Sequence, residues 1–246
     1  MYRVAIIDGE LLEDHPNVLN LCSELYFIVC DYSGSVVKVA IRGNLLETTI
    51  PSSIGHLSQL QYLYLSFNKL IGTIPETIGN LTQLHYLNLS YNNLIGTIPE
   101  SIGKLSQLHN LYILFNKLSG PIPNSIGKLS SLHNLDLSFN ELTGQIPESI
   151  GNIPLNNLYL ISNKLNGTIP ESIGKLSQLY SLYLSFNDLT GTIPHSFGHL
   201  SHLYFLDLSY NQLSGVPNTG YLSHLFPRYY LLKALSNQNQ SLLKPN

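Results

Sequence analysis

The apolar positions of this chain repeat with one period from about residue 36 to residue 225. In segments such as Leu87-Asn88-Leu89-Ser90 leucines alternate with other residues, the two-residue rhythm of a strand with one buried face. A second apolar set, Leu94, Ile98, Ile102 and Leu105, lies in stretches punctuated by Gly96, Pro99 and Gly103, which must turn the chain back on itself. One asparagine marks every copy: Asn44, Asn68, Asn92, Asn116, Asn140, Asn163, Asn187 and Asn211. The step is 24 residues throughout except from Asn140 to Asn163, where it is 23.

Each unit is therefore one coil, too small to bury its own leucines. Stacking the coils buries them continuously. Equivalent strands then pair in parallel, and eight coils make a stack on the order of 35–40 Å long. The recurrent Asn sits where the strand bends, and its amide can both donate to and accept from backbone groups that no ladder satisfies. The glycines allow backbone angles closed to other residues, and the prolines, from Pro51 to Pro217, fix φ and stop helix growth. Two short deletions, at Ile153-Pro154-Leu155 and Gly215-Val216-Pro217, fall outside the strands and are expected to be absorbed in the turns.

The segment from Leu87 through Asn92 and Gly96 to Pro99 resembles the plant-type class of leucine-rich repeats, and the resemblance covers most of the chain. It implies an α/β solenoid: a right-handed superhelix with a concave parallel β-sheet, short second strands, and turns or 3-10 segments on the convex side. It implies a receptor-like or polygalacturonase-inhibitor-like ectodomain that binds proteins, peptides or cell-wall glycans outside the cell or at its surface. Residues 1–35 are similar to the N-terminal cap of that class and imply a Cys22–Cys30 disulfide, although the Trp usual between those cysteines is absent. Residues 36–225 form the solenoid, and residues 226–246 read as a degenerate C-terminal cap or a tail.

Only 11% of the residues are charged and the formal net charge is −3, so nothing draws the chain as a whole to nucleic acid. No integral membrane segment is expected, because the longest apolar run near the cysteines is far too short to span a bilayer. The start, Met1 to Asp8, makes a poor signal peptide. Either the chain stays in the cytoplasm or its true start is missing. A monomer with no cofactor is expected.

Candidate chemistry concentrates on the outward residues of the concave strands. The expected ligand-binding set is Tyr62, Tyr64, Tyr86, Asn88, Asn110, Tyr112, Asn134, Asp136, Asn157, Tyr159, Tyr183 and Asp207, a surface rich in Tyr and Asn of the kind binding faces favour. The residue before each Asn, Phe67, Tyr91, Phe115, Phe139, Ser162, Phe186 and Tyr210, reads as an aromatic cover stacked between coils. His85, His109 and His133 form a column whose rings lie in line; a metal needs its ligands to converge. Asp136 and Asp207 are three coils apart, about 14 Å, too far for a glycosidase pair. Asp136 and Ser138 are expected to stay parallel, so no catalytic residue is assigned. Thr49, Thr73, Thr97, Thr168 and Thr192, each before Ile-Pro, form a column on the expected second strand, and the alternative reading is a structural or ice-binding solenoid that uses it. Asn80 and Asn166 head candidate glycosylation sequons, as do Asn88 and Asn239.

Overall fold

The computed structural model describes residues 26–43 and 46–214. Cys22, the Gly215-Val216-Pro217 deletion, the Asn239 sequon and the segment 226–246 lie outside those residues. Cys30 is disulfide-bonded.

Period-two alternation becomes a nine-stranded main sheet in chain order. An opening hairpin pairs Ile28–Cys30 with Val36–Ala40 in antiparallel register, with Ile28 opposite Val39. The remaining strands are parallel and in register: Tyr62–Tyr64, Tyr86–Asn88, Asn110–Tyr112, Asn134–Asp136, Asn157–Tyr159, Ser181–Tyr183 and Phe205–Asp207. Leu87 and Leu89 are fully buried, as are Leu111, Leu135, Leu158 and Leu182 at the middle of their strands. Phe27, Ile28 and Val36 of the hairpin are buried too, so the antiparallel pair covers the open end of the leucine column that the first coil would otherwise leave wet.

Six short strands form a second parallel sheet, from Ile95–Gly96 through Lys117–Gly120, Glu141–Gly144, Lys164–Thr168 and Asp188–Gly191 to Gln212–Leu213. The threonine column runs along its far edge. Only Thr168 lies inside a strand, Thr49 makes an isolated bridge to Ile71, Thr73 lies two residues beyond that bridge, and Thr97 and Thr192 follow strand ends. The expected threonine strand is therefore mostly a strand margin, because the following Ile-Pro cannot continue the ladder. A short 3-10 turn after one Pro of each coil, such as Glu100–Lys104 after Pro99, returns the chain to the main sheet. Here the coils touch closely: a Cβ on Gly103 would stand 2.5 Å from the Ser125 carbonyl oxygen. Glu76, Glu100, Glu148 and Glu171 each accept the backbone N–H of a serine one coil on, at 3.2–3.3 Å.

The 23-residue coil is accommodated as expected. Its 3-10 turn, Glu148–Asn152, ends on an extended Ile153 (φ −110°, ψ 146°), where the preceding turn ends on Leu129 at φ −76°, ψ 70°. Straightening there absorbs the missing residue, and Asn157 still pairs with Asn134.

The asparagine column bonds coil to coil. Asn92 donates from Nδ2 to the Leu65 carbonyl of the preceding coil at 2.9 Å and to Leu89 of its own at 3.0 Å. Its Oδ1 accepts the Leu70 N–H at 3.0 Å. Asn116, Asn140, Asn163, Asn187 and Asn211 repeat the pattern. Each of these amides is about 8–9% exposed, so the backbone groups it serves have no water to fall back on. Replacing Asn140 by Ala should orphan the Leu118 N–H and leave the Ile113 and Leu137 carbonyls with one asparagine donor each, Asn116 and Asn163. One buried donor then lacks its partner and two carbonyls each lose one of two bonds, and the expected cost is about 1–3 kcal/mol. Urea unfolding checks this, with the exposed Asn166→Ala expected to stay within about 0.5 kcal/mol of the parent.

Candidate binding face

Outward residues of the main sheet form columns because parallel in-register strands set like above like. All twelve sequence-predicted site residues lie on this face, and none is fully buried. The structure divides them into three groups.

At the N-terminal end Tyr62, Tyr64, Tyr86 and Tyr112 pack as a cluster. Ring centroids are 4.6 Å apart between Tyr64 and Tyr86 and 5.5 Å between Tyr86 and Tyr112. The Lys38 ammonium lies 5.5 Å from the Tyr64 ring centre and the Arg42 guanidinium 5.8 Å from that of Phe67, within cation–π range. Burial holds the Tyr64 phenol above its ordinary range. Burial first, then Tyr86, Asp136 and Tyr159, pushes the Tyr112 phenol up to about 12, so both stay neutral donors at any physiological pH.

The centre is an amide ladder. Asn134 Nδ2 donates to Asn110 Oδ1 at 2.7 Å, and Asn157 Nδ2 donates to Asn134 Oδ1 at 2.6 Å. The Tyr112 and Tyr159 hydroxyls donate to Asn110 Oδ1 at 3.3 Å and Asn157 Oδ1 at 3.4 Å. Each amide spends its oxygen and at most one N–H inside the ladder, leaving further N–H groups for a ligand. The signal for this ladder was three consecutive copies with Asn at one position; one-dimensional reading gives the column but not the direction in which the amides point.

Asp136 lies next to this ladder. Its Oδ1 accepts the Ser138 N–H at 2.9 Å, and the Ser138 hydroxyl bonds to the same carboxylate. This corrects the expectation that Asp136 and Ser138 run parallel. The strand ends at Asp136 and the chain turns through Phe139 at φ 54°, which folds Ser138 back under the carboxylate. Asn88 accepts the Ser90 N–H at 3.0 Å and Asp207 the Ser209 N–H at 3.0 Å in the same way, so the contact is a repeat feature. Burial outweighs the two Ser138 bonds and raises the Asp136 carboxyl above its ordinary range.

The C-terminal end is aromatic again. Tyr159 and Tyr183 stand 5.3 Å apart, and Tyr180, Tyr204 and Phe205, outside the predicted set, form a second group, with Tyr180–Tyr204 at 5.3 Å and Tyr204–Phe205 at 4.7 Å. Tyr180 and Tyr204 continue the histidine column, a continuation that periodic alignment would have exposed. His85, His109 and His133 stack in line at 5.4 and 5.7 Å. No group of three or more His, Cys, Asp or Glu among the described residues could hold a metal ion. Asn80 and Asn166 are exposed.

Residues 41–153 match the leucine-rich repeat region family and residues 153–213 the leucine rich repeat family. No curated protein matches the chain. Among solved structures, the plant peptide hormone receptor RGFR1 in complex with RGF2 is 42% identical, covering 71% of this chain and 28% of that one, with a TM-score of 0.69. The Arabidopsis receptor kinase HAESA, in complex with the peptide hormone IDA and the co-receptor SERK1, is 36% identical over 83% of this chain and 35% of that one, at 0.76. A plant ice-binding protein is 25% identical over 80% of each chain, at 0.61. The chain thus spans about a third of the two receptor structures and most of the ice-binding protein.

The raised Asp136 carboxyl means that the folded state binds more protons than the unfolded chain. The stability it contributes is present below the ordinary carboxylate range and lost as pH rises through its shifted pKa. Asp136→Asn keeps an acceptor for Ser138, as Asn88 does for Ser90. The variant should match the parent at about pH 3 and exceed it in stability at about pH 7. Thermal unfolding at the two pH values tests this; an equal difference at both would exclude a titrating Asp136 as the cause.

Proposed function

We propose that this chain, which belongs to the leucine-rich repeat family, is a non-catalytic binding module whose main-sheet face receives an extended peptide segment of a partner. The observation that carries the reading is the Asn110–Asn134–Asn157 ladder, with amide N–H groups to spare between two tyrosine clusters. Amides in a row suit the repeating carbonyls of an extended backbone, and flanking tyrosines supply contact area at low entropic cost. Similarity to a peptide hormone receptor and to a receptor kinase supports the choice of peptide over glycan. The same similarity, the disulfide-bonded Cys30 and the exposed Asn80 and Asn166 sequons favour a site outside the cell or at its surface.

A panel of secreted peptides, proteins and cell-wall glycans over the immobilised chain identifies the ligand class. Tyr112→Ala and Tyr159→Ala should each weaken a captured peptide about 10- to 100-fold. Unchanged affinity in both variants, measured by calorimetry, would remove the main-sheet face as the site.

One further observation favours a second reading. Thr49, Thr73, Thr97, Thr168 and Thr192 are all exposed, on a chain of much the same extent as a plant ice-binding protein. The Cγ2 methyls of Thr49, Thr73, Thr97 and Thr168 also pack on glycines one coil ahead, such as Thr73 on Gly96 and Thr97 on Gly120, which is a structural reason for threonine. Valine keeps that methyl and removes the hydroxyl. If the column binds ice, Thr73→Val/Thr97→Val should leave unfolding within about 0.5 kcal/mol and alter ice-recrystallisation inhibition; an inactive parent chain would end this reading.

A further inference from the structure

The aromatic ladder at the ends of the main-sheet strands has one missing rung. Phe67, Tyr91, Phe115 and Phe139 stack face to face, with centroids 4.3, 4.6 and 4.1 Å apart. Phe186 and Tyr210 continue the column at 4.0 Å. Between Phe139 and Phe186 the column holds Ser162. Its φ of 53° lies within the 52–57° of its column mates. The Ser162 N–H still bonds to the Ser185 carbonyl at 3.0 Å and the Asn163 N–H to that of Phe186 at 3.1 Å. The ring is gone while the coil keeps its place.

We propose that this gap is a slot for one flat aromatic side chain of a partner peptide or protein, held between the faces of Phe139 and Phe186. The two faces are two coil steps apart, about 9.4–9.8 Å. A ring placed midway would stand about 4.7–4.9 Å from each, close to the spacing of the ladder's own rings. Phe139 and Phe186 are 40% and 48% exposed, so the bounding residues are open to solvent. The slot shares its coil with Asn157 and Tyr159 and adjoins the coil of Asn134 and Asp136, so it continues the binding face. A pyranose chair is thicker than a flat ring and fits a one-ring gap less well. The class of partner rests on the peptide-binding reading above; the slot itself does not.

The chain contains no Trp, so indole emission excited beyond the tyrosine band reports an added probe alone. N-acetyl-tryptophanamide titrated into the full chain should show saturable binding. Ser162→Ala leaves the slot open and should bind as the parent does. Ser162→Phe fills it from within, and should weaken the probe about tenfold or more while raising the unfolding temperature. Equal probe binding by parent and Ser162→Phe, absence of saturable binding to the parent, or a lowered unfolding temperature in Ser162→Phe would each overturn the slot. So would cellotetraose displacing the probe from the parent, since the gap would then take a sugar face. A captured peptide indifferent to Tyr112 and Tyr159, beside probe binding that Ser162→Phe abolishes, would defeat the main-sheet reading and leave the slot standing.

Discussion

Buried asparagines joining one coil to the next are the constraint on which the rest of this molecule depends. Each strand ends by bending away from its ladder, which strands a carbonyl and an N–H in an interior without water. The amide of Asn92, Asn116 or Asn140 meets both, donating to the coil before and accepting from it. An unpaired buried backbone group costs about 1–3 kcal/mol, so the bend can persist only where such an amide stands. The same bend forces the preceding residue to φ 52–57° in every described coil from Phe67 to Tyr210, a conformation that bulky residues ordinarily avoid. Ring stacking at 4.0–4.6 Å offsets part of that strain. The exposed aromatic ladder is thus a consequence of the buried polar one.

Regularity in the interior frees the outer face to vary. Because Leu63, Leu87, Leu111, Leu135, Leu158 and Leu182 hold one register, the residues between and before them can change type without moving the backbone. The face uses that freedom in blocks. A tyrosine cluster near Lys38 and Arg42 gives way to amides and Asp136, and then to tyrosines again. Tyr112 and Tyr159 join the blocks, since each touches a ring on one side and an asparagine on the other. Electrostatically the face is quiet: the Tyr64 and Tyr112 phenols are held neutral by burial, and the Asp136 carboxyl is raised by the same cause. Such a surface presents shape and hydrogen-bonding groups more than charge.

What could be read in one dimension followed from period. Strand alternation, the 24-residue step and the Gly and Pro positions specified a coil, a parallel stack and a second short sheet, because repetition leaves few other ways to bury those leucines. The shortened coil at Ile153 was also legible, since only a turn can lose a residue without flipping a strand face. The threonine column was misplaced by a residue or two: ladder ends depend on where neighbouring coils stop bonding. The Asp136–Ser138 contact was missed because alternation assumes a strand that continues, and this one turns.

By itself the sequence determined which residues share a column, and so the membership of the outward face of the main sheet and of the interior. Periodicity encodes this, since residues one step apart must stack. Only the tertiary structure decided how those columns act: the direction of the amide ladder, the burial that shifts Tyr112 and Asp136, and the backbone at Ser162 that keeps the conformation of its column mates. Those quantities depend on the separation and tilt of adjoining coils, which arise from packing across the stack and are written in no single repeat.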